Sequence, residues 1–535
     1  MSIAFPLALI IALYYWFSWW DNWWGPIHGY IVQDSILIGA LIGLLMGDVT
    51  KGIQLGAYIT MLYIGNFAAG ANLPQDNVLA TCIAVPFAIQ FNLSAEAAMA
   101  FAIPFGLMGS MMDNLRRLIN SMWNDRAHKH IDELNWKGLT FDGVWGPILV
   151  QFPIRVIPVV IILMGLGTFG DALLNFIPEW LMNGFSVVGG MLPGMGLVLC
   201  VRLIGRVNLL PYFIIGFFMA VTTGWGTLTI ALFALAAAFL HIQFTAKNDE
   251  GVKFDFSGSG AEQPNSVLTA KDHRKFCSRL MITYRISQSL EYLYGTGVCY
   301  SMIPILKKIY KGNDEGLKEA LHRHLAPYIS EMMWGNCIMG AVVSMEETIA
   351  NGEDLNPEVI NSLKTGLMGP FAGLGDTVQY YTIMPILKSI FAPFAIQGSF
   401  IGFFWAVIQC AVDMAVGYFT YGLGYRLGRR SILGLLKSGI MNKIMIGAGV
   451  LGTMMMGCMC ASYINLGTSL EFTVGADAYA LQEIFDMFVP GLLPFLVSVF
   501  AYVFLAKGKK YSHLMLWFIA IGLIGGSLGI LSTAF

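Results

Sequence analysis

The stretch Leu367-Met-Gly-Pro-Phe-Ala-Gly-Leu-Gly-Asp-Thr-Val378 decides the fold, because it places a carboxylate, Asp376, among glycines and a proline inside apolar sequence. Glycine and proline interrupt helices. At membrane depth, chain outside a helix is tolerated only where protein buries it or a wet cavity meets it. An intramembrane carboxylate is costly and marks a functional position. We therefore predict a broken helix that lines a site.

A second interrupted region lies in the first half of the chain. It runs from Gly47-Asp-Val-Thr-Lys-Gly-Ile-Gln-Leu-Gly56 to Gly65-Asn-Phe-Ala-Ala-Gly-Ala-Asn-Leu-Pro-Gln-Asp76. Interrupted apolar segments in two halves of one chain indicate a transport site between the halves.

Composition places the chain in a membrane. Of its 535 residues, 56% are hydrophobic and 12% are charged, and the mean hydropathy is +0.66. Ordinary soluble domains do not reach these values. The net charge of -2 gives no general affinity for nucleic acid. The chain shows no zinc-ligand set and no GxxxxGK[ST] loop, so we expect neither a metal nor another cofactor.

The apolar runs predict an all-α polytopic membrane protein. In the first part of the chain they cover residues 3–20, 31–47, 53–70, 78–91 and 96–112. Several are shorter than the roughly 20 residues that a helix needs to cross a bilayer. We therefore expect some of them to be re-entrant segments or half-helices.

A polar segment divides the chain into two membrane domains. Residues 246–267 have the composition of a flexible linker, which cannot bury a core. We predict membrane domains over 1–245 and 268–535. The distribution of Lys and Arg between loops places the linker in the cytoplasm and the C-terminus outside.

The second half resembles the IID subunit of mannose-type phosphotransferase system (PTS) permeases. The resemblance rests on Tyr300-Ser-Met-Ile-Pro-Ile-Leu-Lys-Lys-Ile-Tyr310, on the stretch from Asn361 to Asp376, on Gly424-Tyr-Arg-Leu-Gly428 and on Pro490-Gly-Leu-Leu-Pro494. The first half is similar to the partner IIC subunit, through Gly47-Asp48 and the glycines that follow and through Gly189-Gly-Met-Leu-Pro-Gly-Met-Gly196.

The resemblance implies a fused IIC-IID permease in a bacterial cytoplasmic (inner) membrane. Its two halves of related architecture would form a sugar-holding core that moves against a scaffold in an elevator manner, in a homotrimer. A soluble IIB protein bearing phosphohistidine, charged by IIA, would phosphorylate the sugar. No phosphohistidine domain is present, so the chain would take part in phosphotransfer only with phospho-IIB and would hold no complete catalytic site.

Polar side chains in broken apolar sequence are the candidates for contact with a hexose or amino sugar. A buried sugar needs planar donors and acceptors, because an unpaired polar group costs about 1–3 kcal/mol. Asp48, Asp76 and Asp376 each have an alternative role, which is to cap the N-terminus of a half-helix. Asn and Gln can instead join packed helices. The candidates are Asp48, Gln54, Asn66, Asn72, Asp76, Glu291, Asn336, Asp376 and Gln379.

The sequence departs from the family pattern at polar positions. Thr60 stands where IIC members carry Glu or Gln, and Asn66-Phe-Ala68 replaces a Trp-x-Asn. In the IID half, Ile329-Ser-Glu-Met332 replaces Asn-Thr-His-Pro, Met384 replaces an Arg, and Gln288 to Tyr292 replaces a Trp-Asn-Tyr-Glu-Arg run.

Two alternatives therefore stay open. One is a divergent carrier or sensor of the same fold that moves or detects a solute without phosphorylation. The other is a docking surface for an external protein or phage, formed by exposed loops such as 467–483.

Overall fold

The first half of the molecule consists of helices. The computed structural model describes residues 3–20, 26–64, 75–176, 179–204, 207–245, 266–353, 355–437, 440–474, 477–509 and 511–533. We call the residues up to 245 the first half and those from 266 the second half. The α-helices of the first half are α1 Phe5–Ser18, α2 Ser35–Met46, α3 Val49–Leu62, α4 Asn77–Gln90, α5 Ala95–Asp132, α6 Trp136–Thr140, α7 Gly146–Phe176, α8 Glu179–Ile204, α9 Leu210–Thr223 and α10 Thr227–Thr245.

The second half is also helical, and its described residues include four short strands. Strand β1 pairs antiparallel with β4, and β2 with β3, within the loop region predicted to lie outside and at the chain end. The elements are α11 Ala270–Thr283, α12 Gly295–Ile309, α13 Asp314–Leu325, α14 Asn336–Ala350, α15 Glu358–Gly375, α16 Met384–Ile396, α17 Phe404–Lys437, α18 Ile440–Tyr463, β1 Gly467–Thr468, β2 Glu471–Val474, β3 Asp477–Ala480, α19 Leu481–Phe488, α20 Leu492–Ala506, α21 Tyr511–Ser527 and β4 Leu531–Ser532.

Short segments of other helical geometry join several of these helices. Within the described ranges, His28–Val32, Phe141–Trp145 and Asp376–Ile383 are π-helical, and Val207–Leu209 and Phe400–Phe403 are 3-10 turns. π-Helical turns are rare and frequently accompany functional sites.

The described residues include six helices that are long and apolar enough to cross a membrane. A seventh candidate is the pair α19 and α20, which is bent by 75° at a short break. Shorter apolar helices, among them α1, α2 and α4, accompany them. The prediction of an all-α polytopic membrane protein is confirmed.

Helices α2 and α3 form a tight antiparallel hairpin of half-length helices. They contain 12 and 14 residues, too few for a full crossing. Gly47 makes the turn with φ +86°, a conformation that favours glycine. Glycines also let the two backbones touch, because a Cβ atom at Gly52 would lie 2.2 Å from the carbonyl oxygen of Gly39. This hairpin has the form expected for a re-entrant segment.

The glycine- and proline-containing stretch 367–378 differs from its prediction. Helix α15 continues through Pro370 and ends at Gly375, so these residues do not form a non-helical break. The change of geometry comes at Asp376, where a π-helical segment begins and leads to α16. The wider π turn lets the chain depart from α-helical geometry while it stays wound.

A buried ion network fixes four helices of the first half. Asp76 caps α4 and accepts a hydrogen bond of 2.7 Å from the Tyr15 hydroxyl on α1. Arg155 on α7 lies 3.4 Å from Asp76 and 3.5 Å from Asp113 on α5. Asp113 also pairs with Arg116 at 2.8 Å. Buried charges of this kind need mutual pairing, because an isolated one carries a large desolvation cost.

The loop before α12 attaches the second half to α5. The Asn120 amide donates to the backbone carbonyl of Gln288 at 3.0 Å. The Asn124 amide donates to the Ser289 hydroxyl at 3.0 Å, and the Thr296 hydroxyl donates to Asn124. All five residues are buried. Side-chain hydrogen bonds therefore fix the packing of the two halves at this junction.

The junction continues toward the end of α5. His128 and His322 stack with their Nδ1 atoms 2.9 Å apart. The other ring nitrogen of His322 lies 2.8 Å from Asp132. Lys307 places its ammonium 3.4 Å from the ring centroid of Trp136. Each of these contacts crosses from one half to the other.

We predict that Asn124 and Thr296 are energetically coupled across the junction. Asn124→Leu should lower the free energy of unfolding by about 1–3 kcal/mol, because it removes the partner of the buried Thr296 hydroxyl and one of the two donors to Ser289. Thr296→Val alone should also destabilise. The double variant should lose clearly less than the sum of the two, because both partners of one bond are then removed.

Thermal unfolding of the purified full chain measures this cycle. If the double variant loses as much free energy of unfolding as the two single variants together, the predicted coupling is contradicted.

Candidate functional site

A cavity of about 410 Å³ lies between the two halves. This volume falls within the range of roughly 300–1,000 Å³ found for small-molecule sites. The first half contributes Trp19, Pro26, Gly29, Tyr30, Gln33, Asp34, Ser35, Thr60, Tyr63 and Asn77. The second half contributes Tyr284, Arg285, Tyr294, Ile329, Ser330, Glu331, Met332, Thr365, Met368, Gly369, Ala372, Asp376, Tyr380, Tyr381, Met384, Lys388 and Trp405.

One face of α15 and the π-helical segment after it form a wall of the cavity. The lining residues recur every three or four positions, which places them on one side of a helix. Small residues at this face leave open space, since a Cβ atom added at Gly369 would meet no atom within 4 Å. These wall residues are Thr365, Met368, Gly369, Ala372 and Asp376.

Asp34 ties the first half to the opposite wall. Its Oδ1 caps α2 by accepting from the amides of Ile36 and Leu37 at 2.9 and 3.1 Å. Its Oδ2 accepts from the indole Nε1 of Trp405 at 3.1 Å. Lys388 lies with its ammonium 4.7 Å from the ring centroid of Trp405. A carboxylate, an indole and an ammonium group therefore meet here from both halves.

Glu331 presents an unused acceptor at the cavity. Its Oε2 accepts from the backbone amides of Met333 and Trp334 at 3.0 and 2.8 Å, which holds the turn before α14. Its Oε1 is buried and makes no hydrogen bond with a described residue. Asp376, half-buried on the α15 wall, forms no hydrogen bond through its carboxylate within the described ranges. Both carboxylates are thus available to a solute.

Aromatic rings complete the lining. Tyr284 and Tyr294 contact each other edge to face with centroids 4.9 Å apart. Rings offer apolar faces, and their hydroxyl or indole groups offer hydrogen bonds. The cavity therefore combines flat apolar surfaces with charged donors and acceptors. Its aromatic members are Trp19, Tyr30, Tyr63, Tyr284, Tyr294, Tyr380, Tyr381 and Trp405.

Comparison with known proteins assigns each half. A family model described as PTS system sorbose-specific IIC component matches residues 6–240. One described as PTS system mannose/fructose/sorbose family IID component matches residues 267–531. The sorbose-specific EIID component of Klebsiella pneumoniae is 32% identical over 255 residues, which cover 46% of this chain and 92% of that protein. The chain belongs to the mannose/fructose/sorbose family of PTS permeases.

A relative of the first half agrees with this division. The mannose-specific EIIC component of Escherichia coli K12 is 29% identical over 204 residues, 38% of this chain and 76% of that protein. A solved structure described as a membrane protein is 30% identical and covers 50% of this chain and 99% of its own, with a TM-score of 0.46. The permease thus carries IIC-type and IID-type sequence in one chain, consistent with a fusion.

Of the candidate residues in the first half, none of those described lines the cavity. Asp48 is exposed and caps α3 by accepting from the amide of Lys51 at 2.9 Å. Asp76 is buried in the ion network. Gln54 is half-buried on α3. Asn66 and Asn72 lie outside the described residues.

In the second half, the structure brings only Asp376 to the cavity wall. Glu291 is exposed. Asn336 is buried and donates to the carbonyl of Gly417 at 3.3 Å. Gln379 is buried behind the wall, where its amide donates to Asp413. A position at the cavity therefore supports the predicted contact with a sugar for Asp376, but not for Glu291, Asn336 or Gln379.

Four charged residues line the cavity although they are not among the candidates predicted from the sequence, namely Asp34, Arg285, Glu331 and Lys388. A signal existed for Lys388, because it stands alone inside the apolar run of α16, and an isolated charge in such a run marks a functional position. Asp34 precedes an apolar helix and has the appearance of a simple cap. Glu331 falls within the replaced Ile329–Met332 segment.

The departures from the family pattern cluster at the cavity. Thr60, the segment Ile329–Met332 and Met384 all line it. The replaced segment from Gln288 lies instead at the junction with α5. Three of the departures therefore line the cavity and one lies at the junction between the halves, while Asn66–Ala68 lies outside the described residues.

We predict that Asp376 contributes to solute binding and that Asp48 does not. Asp376→Asn should raise the solute concentration for half-maximal uptake about tenfold or more, because a hydrogen bond to a charged group contributes about 1.5–3 kcal/mol. Asp48→Asn is the matched control, since Asn caps a helix as well as Asp does.

Uptake into vesicles measures both variants, with unfolding temperatures checked in parallel. If the two variants need the same solute concentration for half-maximal uptake, Asp376 does not contribute to solute binding.

Proposed function

We propose that the chain is the membrane-embedded, sugar-translocating IIC-IID component of a phosphoenolpyruvate-dependent phosphotransferase system. It binds a hexose or amino sugar in the cavity between its halves and delivers it to phospho-IIB for coupled phosphorylation. The observation that carries the proposal is the cavity itself, because IIC-type and IID-type residues line it together.

The chemistry of the lining suits a sugar. The free Oε1 of Glu331 and the carboxylate of Asp376 accept hydrogen bonds from hydroxyl groups. Lys388 donates to ring or hydroxyl oxygens, and aromatic faces such as Tyr294 pack against the C–H face of the sugar ring. Each well-made bond avoids the cost of about 1–3 kcal/mol for a buried unpaired group.

The family supports the remaining parts of the proposal. The permease works in a bacterial cytoplasmic membrane with IIA and IIB as soluble partners, as a homotrimer. Residues 246–267 join the IIC and IID domains on the cytoplasmic side, where phospho-IIB meets the sugar. The cavity-bearing core moves against the scaffold to change the side from which the cavity is open.

A second candidate is a divergent carrier or sensor that moves or detects a solute without phosphorylation. The clustering of Thr60, Ile329–Met332 and Met384 at the cavity favours it. Changed contact positions alter which solute fits and do not by themselves alter the fold.

Uptake of a panel of radiolabelled sugars in vesicles carrying the chain, with and without phosphorylated IIB, separates the two candidates. The PTS proposal predicts sugar phosphate inside the vesicles, and only with phospho-IIB. Vesicles with the unphosphorylated IIB are the control. Accumulation of free sugar at full rate without IIB, or no accumulation of any sugar, would contradict the PTS proposal.

A further inference from the structure

A buried carboxylate, Asp413, lies behind the cavity wall. It belongs to the candidate membrane span Phe400–Gly428 and is fully buried. Its Oδ1 accepts hydrogen bonds from two side-chain amides, that of Gln409 at 2.8 Å and that of Gln379. Charged groups inside membrane spans face the protein interior and mark ion or proton sites.

The buried acceptor oxygens around Asp413 outnumber the hydrogen-bond donors that lie near them. The Oδ2 of Asp413 and the Oε1 atoms of Gln379 and Gln409 are buried, and none has a hydrogen-bond partner in the part of the chain that the structure describes. The Tyr30 hydroxyl lies beside Asp413 and can donate one hydrogen bond. Because the amide nitrogens of both glutamines already face Oδ1, their oxygens are left without a donor. Three buried acceptor oxygens among the described residues therefore share one nearby hydroxyl donor, so at least two of them lack the positive partner that burial demands.

The negative charge of Asp413 also lacks a counter-charge. No Lys, Arg or His of the described ranges forms a salt bridge with it. Glu331 lies close enough to Asp413 and Asp376 for their negative charges to repel. The remaining titratable groups around the site are Cys410 on the same helix and Tyr380 on the π-helical segment, with Arg285 beside Tyr380.

We propose that Asp413, Gln379, Gln409 and Tyr30 form a membrane-embedded binding site for a monovalent metal cation of the sodium type. One carboxylate balances one positive charge, and neutral oxygens supply the remaining ligands, as at other ion sites beside irregular membrane helices. A proton on Oδ2 could be donated to only one of the other oxygens. A metal cation satisfies all of them at once.

The site connects to the cavity through shared elements. Gln379 belongs to the π-helical segment that also presents Tyr380 and Tyr381 to the cavity, and Tyr30 itself lines it. Binding of a cation stabilises the arrangement in which α17 packs with the π-helical segments His28–Val32 and Asp376–Ile383, which carry Tyr30 and Gln379. The inference goes beyond the proposed function, because it requires neither a sugar nor IIB.

Sodium binding to the full chain in nanodiscs tests the proposal in the absence of sugar and IIB. Unfolding is followed at fixed pH and constant ionic strength, with sodium, potassium or choline chloride. We expect the unfolding temperature to rise by a few degrees with sodium or potassium relative to choline, and to saturate. Equilibrium binding of radioactive sodium to the same preparation should saturate at one ion per chain.

Substitution of the proposed ligands tests whether the ion binds at Asp413. Asp413→Asn should fold without the cation, because its amide donates to an unpartnered oxygen, and it should lose the response to sodium. Gln409→Leu should raise the half-saturating concentration at least tenfold. Asp142→Asn is the matched control, since Asp142 is equally buried but paired with Arg126 and His130, and it should keep the response.

Two results would overturn the proposal. One is the absence of any saturable binding of sodium or potassium by the unsubstituted chain. The other is an unfolding temperature that changes with pH and not with sodium, and that no longer changes with pH in Asp413→Asn. This result would mean that the carboxylate holds a proton.

Discussion

Polar and charged groups within the membrane must find their partners inside the protein, and the whole molecule depends on how this constraint is met. In the first half it is met by the network of Asp76, Asp113 and Arg155, which joins four helices. Arg116 extends the network across the junction, where it donates to the side chain of Gln288 at 3.1 Å. The charges that hold the helices also orient one half against the other.

At the cavity the same constraint is only partly met. Asp34 and Glu331 each use one carboxylate oxygen to cap a helix or hold a turn, which fixes the position of the other oxygen. Asp376, the free oxygen of Glu331 and the oxygens around Asp413 remain without donors among the described residues. Buried polar groups without hydrogen-bond partners lower the stability of the ligand-free protein, and natural proteins keep such groups at functional sites. Among the described residues, the ion network of the first half is thus paired, whereas carboxylate and amide oxygens at and behind the cavity wall are not.

Sequence reasoning gave the membrane class, the helical fold and the family of each half, because hydropathy and motif spacing are properties of single segments. It did not separate caps from contacts. Asp48, Asp76 and Asp376 all precede or interrupt apolar runs, yet only Asp376 reaches the cavity. An N-cap and a site carboxylate look alike until the direction of the helix in the fold is known. The π-helical geometry after Gly375 was likewise hidden, because glycine and proline suggested a break where the chain stays wound.

The central claim is that the solute sits between the halves, in contact with both. A photoreactive analogue of a transported sugar, cross-linked to the permease in vesicles and mapped by mass spectrometry of the labelled peptides, tests it most directly. The claim predicts label in the first half around residues 28–35 and in the second half around 329–332 and 365–384, with competition by unlabelled sugar. Label confined to one half, or resistant to competition, would contradict it.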